Sequence, residues 1–385
     1  MQKPKKKITG RRTTFNSEMH TMKLKEVTNA IEEFAPLYYQ ESYDNSGLLI
    51  GDKEKEVHAV LLCVDVTDAV ISEAIELGCD LIISHHPLIF SGLKRITGTN
   101  DTQRMVLRLI ENRIAVYASH TNMDNVEGGI SFKMGEKLGL LNMRVLVPRN
   151  GDLQKLAIFV PNAYAEHVRN AIFERGAGAI GNYSECSFNV SGEGTFKAGK
   201  GSHPFVGERG KRHIEPETKI ECIVTRNIAG KIIEAAREAH PYEEMAYDIF
   251  TLDNLNSCAG TGAVGELPEP VDTRIFLQTV KDVFGCGVIR HTRVVKDKIQ
   301  RVALCGGAGA SFAKEAIKAN ADIYISADFK YHDFFGYENG MMVADIGHFE
   351  SEKFAIDIFY EILMKKLTNF AVYITKHVSN PIIYL

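Results

Sequence analysis

The chain has 385 residues, 45% of them hydrophobic and 24% charged, which is typical of a globular protein with two or three domains. No apolar run approaches the roughly 20 residues of a membrane span, and no apolar segment follows the basic N-terminus, which argues against a secretory signal. The net charge is −4, and the seven cysteines form no Cys-x-x-Cys pair, so we expect reduced thiols and a cytoplasmic location.

The N-terminal 21 residues differ in charge from the rest of the chain. They carry six Lys and Arg against one acid, or +5, so the remainder carries −9. So acidic a remainder argues against nucleic acid as a partner, because binding to nucleic acid depends on Lys and Arg side chains that neutralise its phosphates. We expect a disordered tail at residues 1–21, with a nucleic-acid arm as the alternative, and Met22 as a possible functional start.

Two segments of the chain repeat each other. Residues 60–84 align without gaps on residues 302–326, and nine of the 25 positions are identical. Each contains an apolar run, small turn residues, a stretch with helical periodicity and a second apolar run, which predicts a β-α-β unit with parallel strands. We therefore expect an α/β protein in which two similar halves, residues 22–150 and 255–385, form one domain.

Histidines and acids follow the predicted strands of both halves. His85 and His86 stand side by side where the strand of "DLIISHHPLIF" ends. A second pair of segments, 114–124 and 341–352, can also be aligned. In this alignment His120 corresponds to His348, and Asp124 corresponds to Glu352. In an open α/β sheet, ligands bind in the crevice outside the carboxyl ends of the strands.

Residues 151–254 interrupt the two halves. Predicted strands at 155–161 and 219–225 are each followed by a helical stretch, and the β-α-(β)-β-α-β order predicts a ferredoxin-like α+β insert. The Gly-, Lys- and Arg-rich residues 194–213 predict a mobile surface loop, with anion binding as the alternative.

The strand-end residues together form a mixed nitrogen and oxygen ligand set. Such a set suits Zn, Mn, Fe, Co or Ni rather than Ca²⁺ or Mg²⁺. If a helix begins at His348, Glu352 lies one turn further on the same face. A bridging carboxylate would hold two ions, and scattered structural histidines are the alternative. The candidate ligands are His85, His86, His120, Asp124, His348 and Glu352.

Other motifs carry weaker signals. "CGGAGASF" (305–312) fits a phosphate-binding turn or a tightly packed turn equally well. Asp328 and His332 follow the second repeat and fit pocket, proton-transfer or supporting roles. We interpret His240 as structural, and Cys63 and Cys305 as core residues.

The sequence resembles the NIF-three-like family, whose members are commonly labelled GTP cyclohydrolase I type 2 homologues. The resemblance covers about residues 22–385. Its motifs are ESYDNSGLLIG (41–51), DLIISHHPLIF (80–90), ASHTNMD (118–124), HPYEEMAYDI (240–249), GGAGASF (306–312), SADFKYHD (326–333) and GHFESEKFA (347–355).

The resemblance implies a two-lobed α/β domain with an insert similar to the PII/CutA proteins, assembled as a toroidal homohexamer. Its dinuclear metal ligands would be His85, His86, Asp124, His348 and Glu352, with His120 as a near neighbour. One departure concerns "GTGAVG" (260–265), where Ala263 stands at the position of an arginine in many members.

These observations favour a dinuclear, divalent-metal-dependent hydrolase of a small molecule, with a nucleotide such as GTP as the candidate substrate. A metal-activated water would attack the substrate, with Glu352 or His332 moving protons. The alternatives are a metal-binding regulatory or metal-handling protein without turnover, and a ring around nucleic acid, which the acidic remainder of the chain disfavours.

Overall fold

The computed structural model describes residues 21–337 and 340–385. The prediction of a disordered tail at residues 1–21 therefore concerns a segment that lies, apart from Thr21, outside the described residues. Within the described ranges, no helix combines the length and apolar character that a membrane crossing requires.

The described residues form strands and helices that are numbered here in chain order. The strands are β1 (Met22–Lys23), β2 (Gly47–Ile50), β3 (Glu56–Val57), β4 (Ala59–Cys63), β5 (Leu81–Ser84), β6 (Ala115–Ala118), β7 (Leu141–Arg149), β8 (Leu153–Pro161), β9 (Ser187–Lys197), β10 (Arg212–Thr225), β11 (Tyr247–Thr251), β12 (Asn256–Asp272), β13 (Arg290–His291), β14 (Lys298–Leu304), β15 (Ile323–Ser326), β16 (Met342–Asp345) and β17 (Ala371–Ile374). The helices are α1 (Leu24–Phe34), α2 (Asp68–Leu77), α3 (Asp101–Glu111), α4 (Thr121–Asp124), α5 (Ile130–Lys137), α6 (Ala165–Phe173), α7 (Arg226–Ala239), α8 (Thr273–Phe284), α9 (Ala313–Lys318), α10 (His348–Glu352) and α11 (Ala355–Lys366).

The chain divides into two compact units. Unit 1 contains the described residues up to Phe34 together with Asn45–Ser119 and Ile356–Ser379. Unit 2 contains Ala35–Asp44, His120–Ala355 and Asn380–Leu385. The β-α-β units predicted from the repeat are confirmed, one in each unit: β4-α2-β5 and β14-α9-β15 both have parallel strands.

Unit 1 is built on a five-stranded sheet in the order β17-β4-β5-β6-β2, in which only β2 is antiparallel to its neighbour. Every residue of β4 and β5 is buried, as expected for central parallel strands covered on both faces. Thr67 caps the start of helix α2, where its hydroxyl accepts a hydrogen bond from the Val70 N–H, and Gly78 caps the end in the left-handed conformation.

Unit 2 contains a six-stranded sheet in the order β13-β16-β15-β14-β12-β7. Strands β14, β15 and β16 are parallel, and the others are antiparallel to their neighbours. Buried alanines of α9 pack against this sheet around Tyr324 and Val343. The two repeats therefore lie in two different sheets.

Residues 153–251 of unit 2 form a second, antiparallel sheet in the order β11-β8-β10-β9. The elements follow one another as β8-α6-β9-β10-α7-β11, and α6 and α7 cover one sheet face with an apolar core of their own. The prediction of a loop over 194–213 is wrong at both ends. Residues 194–197 and 212–213 belong to β9 and β10, because Phe196 pairs with His213 across the hairpin.

Candidate metal centre

The adjacent histidines of unit 1 stand where β5 ends. The His85 N–H still donates to the Cys63 carbonyl at 3.2 Å, and the His86 N–H to the Val64 carbonyl at 2.9 Å, so the backbone continues the sheet by two residues. The two imidazole rings lie close together, with centroids 4.9 Å apart. The two side chains are therefore neighbours at the end of β5.

Fixed oxygen atoms orient both of these imidazoles. His85 is fully buried, and its Nδ1 donates to the Ser119 carbonyl at 2.9 Å. His86 Nδ1 donates to Asp65 at 2.6 Å, and the Ser379 hydroxyl donates to the other oxygen of that carboxylate. Burial raises the pKa of Asp65, but the hydrogen bonds from His86 and Ser379 outweigh it and lower the pKa.

In unit 2, α10 places a histidine and a glutamate together. His348 Nε2 lies 3.0 Å from Glu352 Oε2 one helical turn away, as the spacing predicts. His348 Nδ1 donates to Asp328 at 2.8 Å. Burial alone would lower the pKa of His348, but the two carboxylates raise it to about 9. The same two atoms, His348 Nε2 and Glu352 Oε2, could hold a divalent cation once the imidazole has lost its second proton.

The third strand-end histidine is held in the same way. His120 Nδ1 donates to the fully buried Asp44 carboxylate at 2.7 Å. The Thr121 N–H and hydroxyl donate to the other oxygen of Asp44. This anchoring fixes the start of α4, which ends in Asp124.

A cavity within unit 2 brings these residues together. Its volume is about 590 Å³, a size suited to a small molecule. Its lining includes His120, Asp124, His348 and Glu352, the aromatic Tyr43 and Phe312, and Cys305. Burial, together with the charges of Asp124 and Glu352, raises the pKa of Cys305 to about 12, in agreement with a core thiol rather than a nucleophile.

The glycine-rich turn at 305–312 forms part of this cavity wall. The Gly306, Gly307 and Gly309 N–H groups donate to the hydroxyls of Ser131, Ser351 and Ser326, respectively. Amides with protein acceptors are not available to cradle a phosphate. Of the two alternatives for this turn, the structure favours tight packing.

The remaining sequence candidates lie elsewhere. His332 contacts Tyr331 and Phe335 and is not among the described residues that line the cavity. His240 is buried, and its ring bonds the Phe159 carbonyl and the Tyr242 N–H, which agrees with a structural role.

All four strand-end histidines share one arrangement. Carboxylate and carbonyl oxygens only accept hydrogen bonds, so each Nδ1 carries a proton, and Nε2 is the ring atom through which each histidine could bind a metal. Metal-binding histidines in proteins are oriented in this way. The residues present thus fit a divalent metal. The side chains that could take part are His85 and His86 in unit 1, and His120, Asp124, His348 and Glu352 in unit 2.

The residues that orient these histidines were not predicted, apart from Asp328. Asp65 follows β4 as His85 follows β5, so a strand-end acid was the available signal. Asp44 stands in the quoted "ESYDNSG" motif. Ser119 contributes only a backbone carbonyl, for which the sequence has no signal.

The fold and the site define a mixed α/β protein with several sheets and with His and carboxylate groups that could bind a metal ion. The chain belongs to the Duf34/NIF3 (NGG1p interacting factor 3) family, whose model matches residues 22–381. The resemblance seen in the sequence is thereby confirmed.

Relatives with the same name align over most of the chain. A "GTP cyclohydrolase 1 type 2 homolog" of Halalkalibacterium halodurans is 38% identical over 324 residues, covering 84% of this chain and 87% of the relative. One from Bacillus subtilis is 35% identical over 370 residues, covering 94% and 98%. The crystal structure of a Bacillus cereus protein related to NIF3 matches 96% of this chain and 100% of its own, with 35% identity and a TM-score of 0.83.

Proposed function

We propose that this protein is a divalent-metal-dependent hydrolase with two metal ions per chain, drawn from Zn, Mn, Fe, Co and Ni. The proposed ligands are His85 and His86 of unit 1, and Asp124, His348 and Glu352 of unit 2. The observation that supports this most directly is the hydrogen bond from Nδ1 of each strand-end histidine to a fixed oxygen.

The proposed chemistry divides between metal and protein. A bound divalent metal lowers the pKa of a water molecule and polarises the bond under attack. Glu352 is 3% exposed and lines the cavity, and it is our first candidate for accepting the proton of that water. His332 remains the second candidate from the sequence.

A nucleotide is the substrate class that we propose. The cavity of about 590 Å³ offers Tyr43 and Phe312 for contact with a planar base. The names of the relatives point to GTP. On GTP, water would add to C8 of guanine and the C8–N9 bond would break, which opens the imidazole ring. Glu352 would take a proton from the water and return it to the released N9.

Metal content tests the ligand assignment. We expect His348→Ala and Glu352→Ala to lose bound metal, measured by inductively coupled plasma mass spectrometry, while their circular dichroism stays that of the native fold. The matched control is His58→Ala, because His58 Nδ1 also bonds a carboxylate, Asp80, at 3.0 Å but lies outside the candidate ligands. Full metal content in both site variants would refute the assignment.

Turnover tests the activity. Protein loaded in turn with each metal would be incubated with GTP, other nucleotides and phosphoesters, and the products would be identified by mass spectrometry. We expect a ring-opened product from GTP that the Glu352→Ala variant does not form. Turnover of another compound would support the hydrolase proposal and would replace GTP as the proposed substrate. Bound metal without any turnover would favour the metal-handling or regulatory alternative.

We also propose that the chain assembles as a homohexamer, on the basis of the family resemblance. Sedimentation equilibrium should give six times the chain mass, with and without residues 1–21. A smaller mass only after this truncation would show that the tail takes part in assembly.

A further inference from the structure

The antiparallel sheet of residues 153–251 has a second face, opposite to α6 and α7. The apolar core lies on the face of Ile158 and Ile220. Phe159 and Glu217 belong to the opposite face, because side chains alternate along a strand. Phe196 lies on that face as well. Gly194 of β9 pairs with Glu215 of β10, and residues two apart on a strand share a face, so Phe196 lies on the same face as Glu217.

A cavity of about 530 Å³ lies on this second face. Four aromatic residues line it: Phe159, Phe196, Phe205 and Tyr242. Tyr242 is central, with its ring centroid 5.9 Å from Phe196 and 6.3 Å from Phe205. Four aromatic rings, whose faces carry partial negative charge, therefore contribute to the wall.

Glu217 contributes a carboxylate to the same cavity. The residue is 9% exposed, and its carboxyl group lies over Gly194, where a Cβ atom would collide with it. Burial, and next the neighbouring Glu217, raise the pKa of Tyr242, which places the phenol beside this carboxylate. Glu217 and the aromatic rings thus converge.

One cationic side chain reaches the edge of the cavity: Lys219 Nζ lies 5.8 Å from the centroid of the Phe159 ring. It pairs with Glu221 at 2.6 Å, and within residues 21–337 and 340–385 Glu217 forms no ion pair with Lys or Arg. Lys197 lines the cavity but follows Phe196 along β9, so alternation directs its side chain to the other face. A buried carboxylate without a basic partner is costly, and a bound cation would remove this cost.

Two further acids complete the cavity. Both carboxylate oxygens of Glu243 accept the His203 N–H, at 2.9 and 3.1 Å, which holds the segment that carries Phe205 across the opening. Glu244 adds an exposed negative charge to the lining. The cavity is consequently acidic as well as aromatic.

We propose that this cavity binds a small organic cation through an alkylammonium group, which contacts the aromatic faces and pairs with Glu217. Aromatic walls with a carboxylate are how proteins recognise alkylammonium ligands, and the volume suits a small molecule. The site is separate from the candidate metal centre and does not depend on the proposed hydrolase activity.

The test uses the full-length protein and two probes, spermidine and choline, in isothermal titration calorimetry. We expect saturable binding of at least one probe, with one molecule per chain. Glu217→Gln and Phe205→Ala should each weaken it about tenfold or more, since one removes the charge and the other a ring. The control is Glu208→Gln, which removes an equal charge from an exposed residue outside the cavity and should leave binding unchanged.

Circular dichroism guards against misfolding, because Glu217→Gln and Phe205→Ala should both keep the spectrum of the native protein. Three results would overturn the proposal: no binding of either probe at millimolar concentration, equal binding by Phe205→Ala and the native protein, or equally tight binding of Mg²⁺ in competition with the probes.

Discussion

The oxygen atoms that accept hydrogen bonds from the strand-end histidines orient the proposed metal ligands. Asp328 stands in the left-handed region, with φ of +57°, and accepts the Nδ1–H of His348. An asparagine tolerates this backbone but carries no charge to support the imidazole. We expect Asp328→Asn to lower metal affinity by about 10- to 100-fold with little change in thermal stability.

This prediction is checked by titrating the metal-free protein with Zn²⁺ against a competing chelator. Glu315→Gln is the control, because Glu315 pairs with Lys318 on the surface of α9. Native affinity in Asp328→Asn would mean that His348 needs no carboxylate behind it.

A glycine maintains the space for the Glu352 carboxylate. Gly307 has φ of +62°, and a Cβ atom there would collide with Glu352 Oε1. Gly139 has a similar φ of +72° with nothing within 4 Å of its would-be Cβ. Both Gly→Ala variants should lose about 1 kcal/mol of stability from the backbone, but only Gly307→Ala should also lose bound metal.

Chemical denaturation and metal analysis of the two glycine variants separate these effects. Equal metal content in Gly307→Ala and Gly139→Ala would show that Glu352 moves aside without leaving its ligand position.

Among the secondary-structure elements, two identical residues at equivalent positions of the repeat make different contacts. Glu73 of α2 is buried, and its carboxylate accepts the Thr375 hydroxyl at 2.6 Å and the Lys376 N–H, which holds the end of β17. Its repeat equivalent Glu315 pairs with Lys318 on the surface of α9. Glu73→Ala should therefore cost about 1–3 kcal/mol, and Glu315→Ala about 0.5 kcal/mol or less.

The thermal midpoints of these two variants give the first comparison. Hydrogen exchange is more specific, because the Lys376 amide loses its acceptor in Glu73→Ala and the segment 371–377 should exchange faster. Unchanged exchange there would mean that β17 is held by sheet pairing alone.

The elements that could be predicted are those with local signals. The β-α-β units follow from apolar runs and helical periodicity, and the His348–Glu352 contact follows from their spacing on one helix. Asp44 and His120 are 76 residues apart, so only the tertiary fold makes them neighbours. The ends of β9 and β10 were missed because pairing of Phe196 with His213 overrides the loop preference of the surrounding glycines.

At the scale of the molecule, the insert enters and leaves the rest of unit 2 at one point. Strand β7 ends at Arg149 and β12 begins at Asn256, and these two residues are paired in the antiparallel ladder. The intervening sheet has its own apolar core on α6 and α7. Removing residues 151–254 would join Asn150 to Leu255 and leave a two-residue connection between paired strands.

A two-residue hairpin loop favours Asn-Gly, which adopts the required type I′ turn. Leu255 is 54% exposed, so Leu255→Gly removes no core side chain. We therefore expect the deletion of 151–254 combined with Leu255→Gly to give a folded protein that keeps its metal content and loses spermidine or choline binding. Stability should fall modestly, because the hydrogen bond from Asn256 to Asp152 is lost.

Circular dichroism, metal analysis and calorimetry on this one variant separate the two proposed sites. Retained metal with lost probe binding places the cation cavity in the insert and the metal ligands outside it. Retained probe binding would overturn the cavity assignment, since every described residue that lines it has been removed. A soluble, folded product without metal would show that the insert supports the metal ligands of unit 2, and an insoluble product would refute the boundary at 151–254.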